Sequence, residues 1–484
     1  MHLITKNTIE IDCKSAQFGK EMQNDLGFLL ENNFYPKLEN LLNLYDEKYE
    51  IWKIECIDIN ISEIEHKNWK EVLIKESLLQ IENYLIENKP LIKYKNNHVL
   101  TNENQDLNAV ISMQENARFL FLNYLKNGIL EENTISKNID EIVKQIQFSE
   151  DFVIELIKLF HQNNACVLRF IFNAPKYLKE EIYLLLHFTK EKDFLFDFFK
   201  DKKRDAPKLQ EFLHKFQNKE QGNFWFEFLE WMVLLLVKSD SYQTYINQFL
   251  AESKRYWGIS EVDIKAVFKY FIQLKNYFEA EYLQFFYIIL DHSEIETLDT
   301  KTEVILTKTL VEKTSFQKAL FIENAGLVIL HPFLKALFEK LNLSKNEIWR
   351  NEISQQKAIL LSQYLVTGKE ETQESDLLLN KILCGFDLNK VINTKLKITK
   401  TEKESCNNLL EAVLEHWTAM SKSSTVALQQ TFLQRKAKLE ETQDRQFEMW
   451  VEEKGFDILL NQLPWGIGMI KTPWMEEFLF CNWN

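Results

Sequence analysis

The residues able to do chemistry are few, and their spacing serves no recognisable reaction. His331 stands before Pro332 in an apolar stretch, with no second His and no Cys at ligand spacing, so it reads as a capping or core histidine. Cys384 ends the apolar run from Leu377; such a flank raises a thiol pKa, and no His–Asp or His–Asn pair can be assigned to it. His416 adjoins Trp417 and reads as half of a packed, hydrogen-bonding pair, while Arg435 reads as an ion-pair partner at a domain contact. Gly466-Ile467-Gly468 lacks the third glycine and the following helix of a dinucleotide site. Phosphate-loop, H-E-x-x-H and G-x-S-x-G patterns do not occur. The expectation is a protein that is not an enzyme and uses no cofactor or metal.

The elements that must hold these residues are set by composition. The chain has 484 residues, 45% hydrophobic and 13% aromatic, with 36 phenylalanines, enough for a large core and roughly three domains. Only 11 glycines and 7 prolines interrupt it, which implies long helices with short connections. A net charge of −14 argues against a nucleic-acid partner, and the run Lys200 to Arg204 reads as a solvated helix end. Cysteines 13, 56, 166, 384, 406 and 481 form no C-x-x-C pair and read as reduced thiols of a cytoplasmic protein. The richest apolar run, Phe224 to Val237, is broken by Glu227 and Glu230 and is too short to span a bilayer; no signal peptide is read at the start.

Periodicity predicts three parts: 1–95, 105–292 and 314–484. The first is a small β-α-β unit plus a helix. Leu3 to Asp12 and Ile51 to Ile61 alternate as strands around a helical pattern from Ser15, with Asn32-Asn33 the candidate break into two helices; residues 63–89 form an amphipathic helix. A polar linker runs from Lys95 to Gln105. The middle part has breaks near Gly128, Asn163, Pro175, Pro207, Gly222 and Gly258, a spacing that suits α-solenoid-like helical hairpins. A second polar stretch, Asp291 to Lys313, leads to a helical C-terminal part with short strands. The fold class is mainly α.

Within the last part the punctuation is specific. Ala325-Gly326 marks a tight packing spot, with Glu323 and Asn324 placed to satisfy backbone groups and Pro332 in the first turn of the next helix. Gly368 and Gly385 are helix stops, the second following Asn380 and Cys384. Leu428 to Leu439 reads as an amphipathic helix, Phe447 to Val451 as a strand, and Asp457 to Leu463 as a short element. The segment Phe456 to Met475 holds Pro464-Trp465-Gly466 and Pro473-Trp474, which cannot run on as helix and read as turns carrying aromatic anchors into a packed surface.

These segments together resemble the tape measure family of bacterial contractile injection systems, phage-tail-like needles built from a sheath, a tube and a baseplate. The resemblance rests on Ile322 to Leu334, Ala358 to Gly368, Leu377 to Phe386, Glu411 to Trp417, Leu428 to Leu439 and Phe456 to Met475, in that order. The strand ending Ile57-Asp58-Ile59-Asn60-Ile61 is similar to the family's opening. Ala437 stands where glycine is common, and Phe121 to Leu130 lacks the Pro-Trp that relatives carry. The resemblance implies a structural role in assembly, with tube length set by this protein, tube and baseplate subunits as partners, and a place in or at the base of the particle. The competing class is an α-solenoid adaptor or assembly chaperone.

Overall fold

A computed structural model describes residues 7–13, 15–46, 50–62, 67–93, 109–130, 136–185, 242–273, 280–291, 320–442 and 446–483, with isolated positions between these stretches. Helix predominates among them and the strands are short. The expected linker at 95–105 and the breaks at Pro207 and Gly222 lie outside the described residues. The chain separates into two compact units, Met1–Phe121 with Glu132–Gln147, and Leu122–Glu131 with Phe148–Asn484.

Three helices of the first unit share a core. Ala16–Leu29 starts at Ser15, whose Oγ accepts from the Phe18 N–H, and one π-helical turn, Leu30–Phe34, carries the chain straight into Tyr35–Tyr45. Asn32-Asn33 therefore widens the helix by a turn rather than breaking it. Trp69–Lys93 is the third helix, and Met22, Leu29, Leu38, Trp69, Ile81 and Leu85 form the common core.

The β-α-β opening is not formed among the described residues. Residues 7–13 make no ladder, and β1 (Glu50–Lys53) pairs antiparallel with β2 (Ala109–Ser112) instead. The reason lies in what the alternation at Ile57 and Ile59 is used for. Both side chains pack on the helical core, while the N–H and C=O of Asn60 bond the Gln80 side chain at 3.0 and 2.8 Å. An extended segment whose backbone is satisfied by a helix side chain needs no partner strand.

In the second unit, helices Glu150–Gln162, Asn164–Asn173, Lys176–Leu185, Tyr242–Trp257, Glu261–Gln273 and Ala280–Asp291 fall between the expected breaks. A regular stack of hairpins is not evident among them. Tyr242–Trp257 packs on Ala280–Asp291 and also on the later helix Glu352–Thr367. In the first of these contacts Phe249 meets Phe285 edge-on at 5.4 Å, and Trp231 stacks on Phe249 at 4.9 Å and on Trp257 at 4.7 Å between ring centroids.

The rest of the second unit centres on a five-stranded sheet. β3 (Leu320–Ile322), β6 (Ala437–Glu441), β7 (Phe447–Val451), β8 (Met469–Ile470) and β9 (Leu479–Asn482) lie in the order β3-β6-β7-β9-β8, with β7 and β9 parallel; β4 (Ser344–Lys345) and β5 (Ile348–Trp349) form a separate hairpin. Helices His331–Lys340, Glu352–Thr367 and Lys400–His416 bury Leu334, Ile359, Leu361, Leu410 and Val413 in the same core as Leu439, Met449 and Leu479. The helix expected over Leu428 to Leu439 stops at Leu433, after Thr425–Leu428 and a π-helical turn. Ala437-Lys438-Leu439 alternates, and with β3 and β7 on its two sides it takes the strand period instead.

Candidate functional site

Several of the residues singled out by sequence meet at three contacts. The first is Gly326, in the 3-10 turn Ala325–Leu330 that follows β3. A Cβ there would stand 1.9 Å from the Phe432 carbonyl oxygen and 2.5 Å from the Leu433 Cα, and the neighbouring Ala325 N–H donates to the Arg435 carbonyl at 3.0 Å. Two backbones thus meet with no room for a side chain. Asn324 does not cap this turn. Its buried amide Nδ2 lies 2.8, 3.0 and 2.7 Å from Gln363 Oε1, the Asp376 carbonyl and Asn380 Oδ1, which share its two N–H donors, and Asn380 in turn donates to Ser362 Oγ at 2.7 Å. Glu323 is exposed.

The second contact joins a helix stop to the last turn. Gly385, at φ +61°, lies against Trp474, whose carbonyl oxygen would be 1.9 Å from an added Cβ. Trp474 stacks on Trp349 at 4.3 Å, and its neighbour Pro473 is exposed. The other Pro-Trp turn is anchored likewise: the Trp465 indole donates to the Ile329 carbonyl at 2.9 Å and its ring meets Phe333 edge-on at 4.9 Å, with Pro464 exposed beside it. Gly368, at φ +68°, ends the helix Glu352–Thr367 as expected.

The third is a buried ion pair. Arg435 Nη1 and Nη2 donate to Asp457 Oδ1 and Oδ2 at 2.6 and 2.7 Å, a bidentate fork. Asp457 also accepts from the Lys454 N–H at 2.8 Å and the Trp483 indole at 3.2 Å, and the Arg435 guanidinium lies 5.2 Å from the Trp483 ring centre. Burial pushes the Asp457 carboxyl up, but the donors from Arg435, Lys454 and Trp483 outweigh it and hold the pKa below its usual value.

His331 and His416 each pack against a neighbouring group. Burial lowers the His331 pKa, and its Nδ1 lies 2.8 Å from the Val328 carbonyl at the start of the helix His331–Lys340, where Pro332 fits the first turn. His416 and Trp417 do not pair. Trp417 is fully buried and its indole donates to the Leu459 carbonyl at 3.2 Å, whereas His416 faces out over Phe333. The two are successive residues at a helix end, so they point to different sides. Burial raises the Cys384 thiol far above its usual range, and those of Cys406 and Cys481 to about 12. Among the described residues no group of three His, Cys, Asp or Glu side chains could hold a metal ion, and no helix is long and apolar enough to cross a membrane. What this arrangement does is hold distant segments together.

The comparison with known families bears on the whole chain. The model described as contractile injection system tape measure protein matches residues 1–483. The chain belongs to that family. No curated protein and no solved structure matches it.

For this tape measure family member, sequence reasoning missed a buried ionic cluster. Glu374 accepts from Arg169 Nε at 3.3 Å and from Lys381 Nζ at 2.7 Å, and all three are almost wholly buried. Arg169 also donates to the carbonyls of Leu125, Lys126 and Asn389, and Lys381 to those of Leu388 and Lys390. Lys179 and Glu230 form a second buried pair at 3.1 Å. A signal existed: Arg169 and Lys381 are lone charges inside apolar runs and Glu230 is one of two in its run, and a buried charge there must find a partner.

Proposed function

We propose that this family member works without catalytic chemistry in building a phage-tail-like contractile injection particle, where it takes part in setting tube length. The family match across residues 1–483 carries this reading. Its partners are tube and baseplate subunits, met in the cytoplasm during assembly, and a net charge of −14 disfavours nucleic acid. The sequence-defined motif of Glu323, Pro464 and Pro473 supplies exposed candidates for contact, with the anchored tryptophans behind them.

Two modes of length control are available. Fully helical, the chain would span about 730 Å at 1.5 Å per residue. The longest continuous helical run among the described residues, Ala16–Tyr45, would span about 45 Å by the same rise, and backbone-to-backbone contacts join Gly326 to Phe432 and Gly385 to Trp474. We favour a chain that acts folded, with extension requiring those contacts to open. The same compactness favours, as a second reading, an adaptor or assembly chaperone.

Deleting the gene and imaging purified particles by electron microscopy tests the proposal. Missing tubes, or tubes of uncontrolled length, support it, and in-frame shortening that shortens the tube in proportion establishes a ruler. Normal particles of normal length overturn both and leave the adaptor.

A further inference from the structure

The helix Met113–Asn127 ends on the one Asn-Gly pair of the chain, Asn127-Gly128. This pair is the most labile context for an asparagine, because glycine has no side chain to hinder attack by its own amide nitrogen. Gly128 N attacks Asn127 Cγ, the new C–N bond closes a succinimide ring, and the side-chain nitrogen leaves as ammonia with the proton that the glycine amide gives up. Water then opens the ring at either carbonyl, leaving aspartate or a β-aspartyl link whose backbone is one carbon longer. The reaction needs the glycine N–H free and the asparagine side chain swung over it.

The folded second unit meets neither need. The Gly128 N–H donates to the Tyr124 carbonyl at 2.7 Å, closing the last turn of the helix. Asn127 is exposed, but its Nδ2 donates to Asn123 Oδ1 at 2.7 Å, which holds the side chain back along the helix. Gly128 is buried at φ +74° against the Arg169 guanidinium, whose Nε, Nη2 and Cζ lie 2.8, 2.9 and 3.0 Å from the place a Cβ would take. Arg169 fixes the same turn by donating to the Leu125 and Lys126 carbonyls at 3.0 and 2.7 Å, and Glu374 and the Asn389 carbonyl hold the guanidinium in turn. A buried ion cluster therefore stands guard over a reactive surface pair.

We propose that Asn127 is a deamidation site shielded by the Arg169 contact, that it converts while this contact is open, and that the β-aspartyl product keeps it open. The longer link adds a backbone carbon immediately before Gly128, where the guanidinium already leaves no room for a methyl group. Time spent open thus becomes a lasting covalent mark on the chain. The opening concerned is local, of the helix end away from Arg169, and needs no global unfolding. The inference is independent of any role in length control.

The test is peptide mass spectrometry of the full chain incubated in mildly alkaline buffer, with and without guanidinium chloride. Conversion at Asn127 is expected to be at least about tenfold slower in the folded chain than in denaturant. Arg169→Met should convert at a rate between the two. Circular dichroism melting checks that this variant folds; should it fail, the wild-type comparison carries the test alone. Chain converted in denaturant and returned to buffer should melt below Asn127→Gln taken through the same steps. It should also melt below fresh Asn127→Asp, which carries the charge without the longer backbone. Equal conversion in folded and denatured chain, no acceleration in folded Arg169→Met, or a converted chain that melts with either control overturns the proposal.

Discussion

Gly385 and Trp474, 89 positions apart in the chain, meet backbone to backbone, with 1.9 Å between the Trp474 carbonyl oxygen and the place a Cβ would occupy on Gly385. The contact joins a helix stop to the Pro-Trp turn and so couples two pieces of sequence motif. Gly385→Ala meets both this clash and a positive φ, and is expected to cost at least about 3 kcal/mol. Chemical denaturation followed by tryptophan fluorescence measures it; a loss below about 1 kcal/mol would mean the two backbones part easily.

Asp457 sets an acid limit. Its folded pKa lies below the unfolded value, so the group binds protons more readily when unfolded. Its contribution is fully present above the unfolded value of about 3.9, and it is lost as pH falls through the folded value. Melting temperature should drop over that window, and Asp457→Asn, less stable at neutral pH, should show a shallower acid decline. Parallel slopes for the two proteins would refute the assignment.

The cluster of Arg169, Glu374 and Lys381 should be strongly non-additive. Lys381→Met removes one of two cations beside a buried carboxylate and is expected to cost about 2–4 kcal/mol. Replacing all three by Met, Leu and Met removes the unpaired charge, and should cost less than the sum of the single losses. A multiple-mutant cycle by urea denaturation reads the coupling directly.

The hairpin of β4 and β5 turns on Asn346 and Glu347, both at positive φ, of +50° and +67°. Such two-residue turns favour glycine at the second position. Glu347→Gly relieves that strain but removes an exposed ion pair with Lys335 at 2.5 Å. A net gain of about 0.5 kcal/mol is expected, growing with salt as the pair is screened; a loss at high salt would contradict the strain argument.

Thiol labelling should be sharply divided. Cys166, Cys384, Cys406 and Cys481 are buried, Cys13 is half-buried and Cys56 is exposed. Native protein should react quickly at Cys56, more slowly at Cys13, and elsewhere only on unfolding, with Cys56 slowed somewhat because its thiol bonds Asp58 and its pKa is raised. Mass spectrometry of labelled peptides gives the order.

What sequence revealed was punctuation. Gly326, Gly368, Gly385, Pro332 and the Pro-Trp turns could be located because glycine and proline act through their own backbones. Long-range pairing left no such mark. The alternation at Ile57 and Ile59 did not say whether a strand or a helix would satisfy the backbone, and Asn324 looked like a local cap while its partners lie at 363, 376 and 380. Nor did the helix period at Leu428 announce its end at Leu433, because β6 is imposed by neighbours more than a hundred residues earlier and some ten later.

The strand order carries one more consequence. β9 lies inside the sheet, between β7 and β8, and its neighbour Trp483 donates to Asp457. During synthesis the sheet therefore stays divided until the ribosome has passed residue 483. The helices can already pack on one another and on β6 and β7, and the core they share with Ile470, Leu479 and Cys481 closes last.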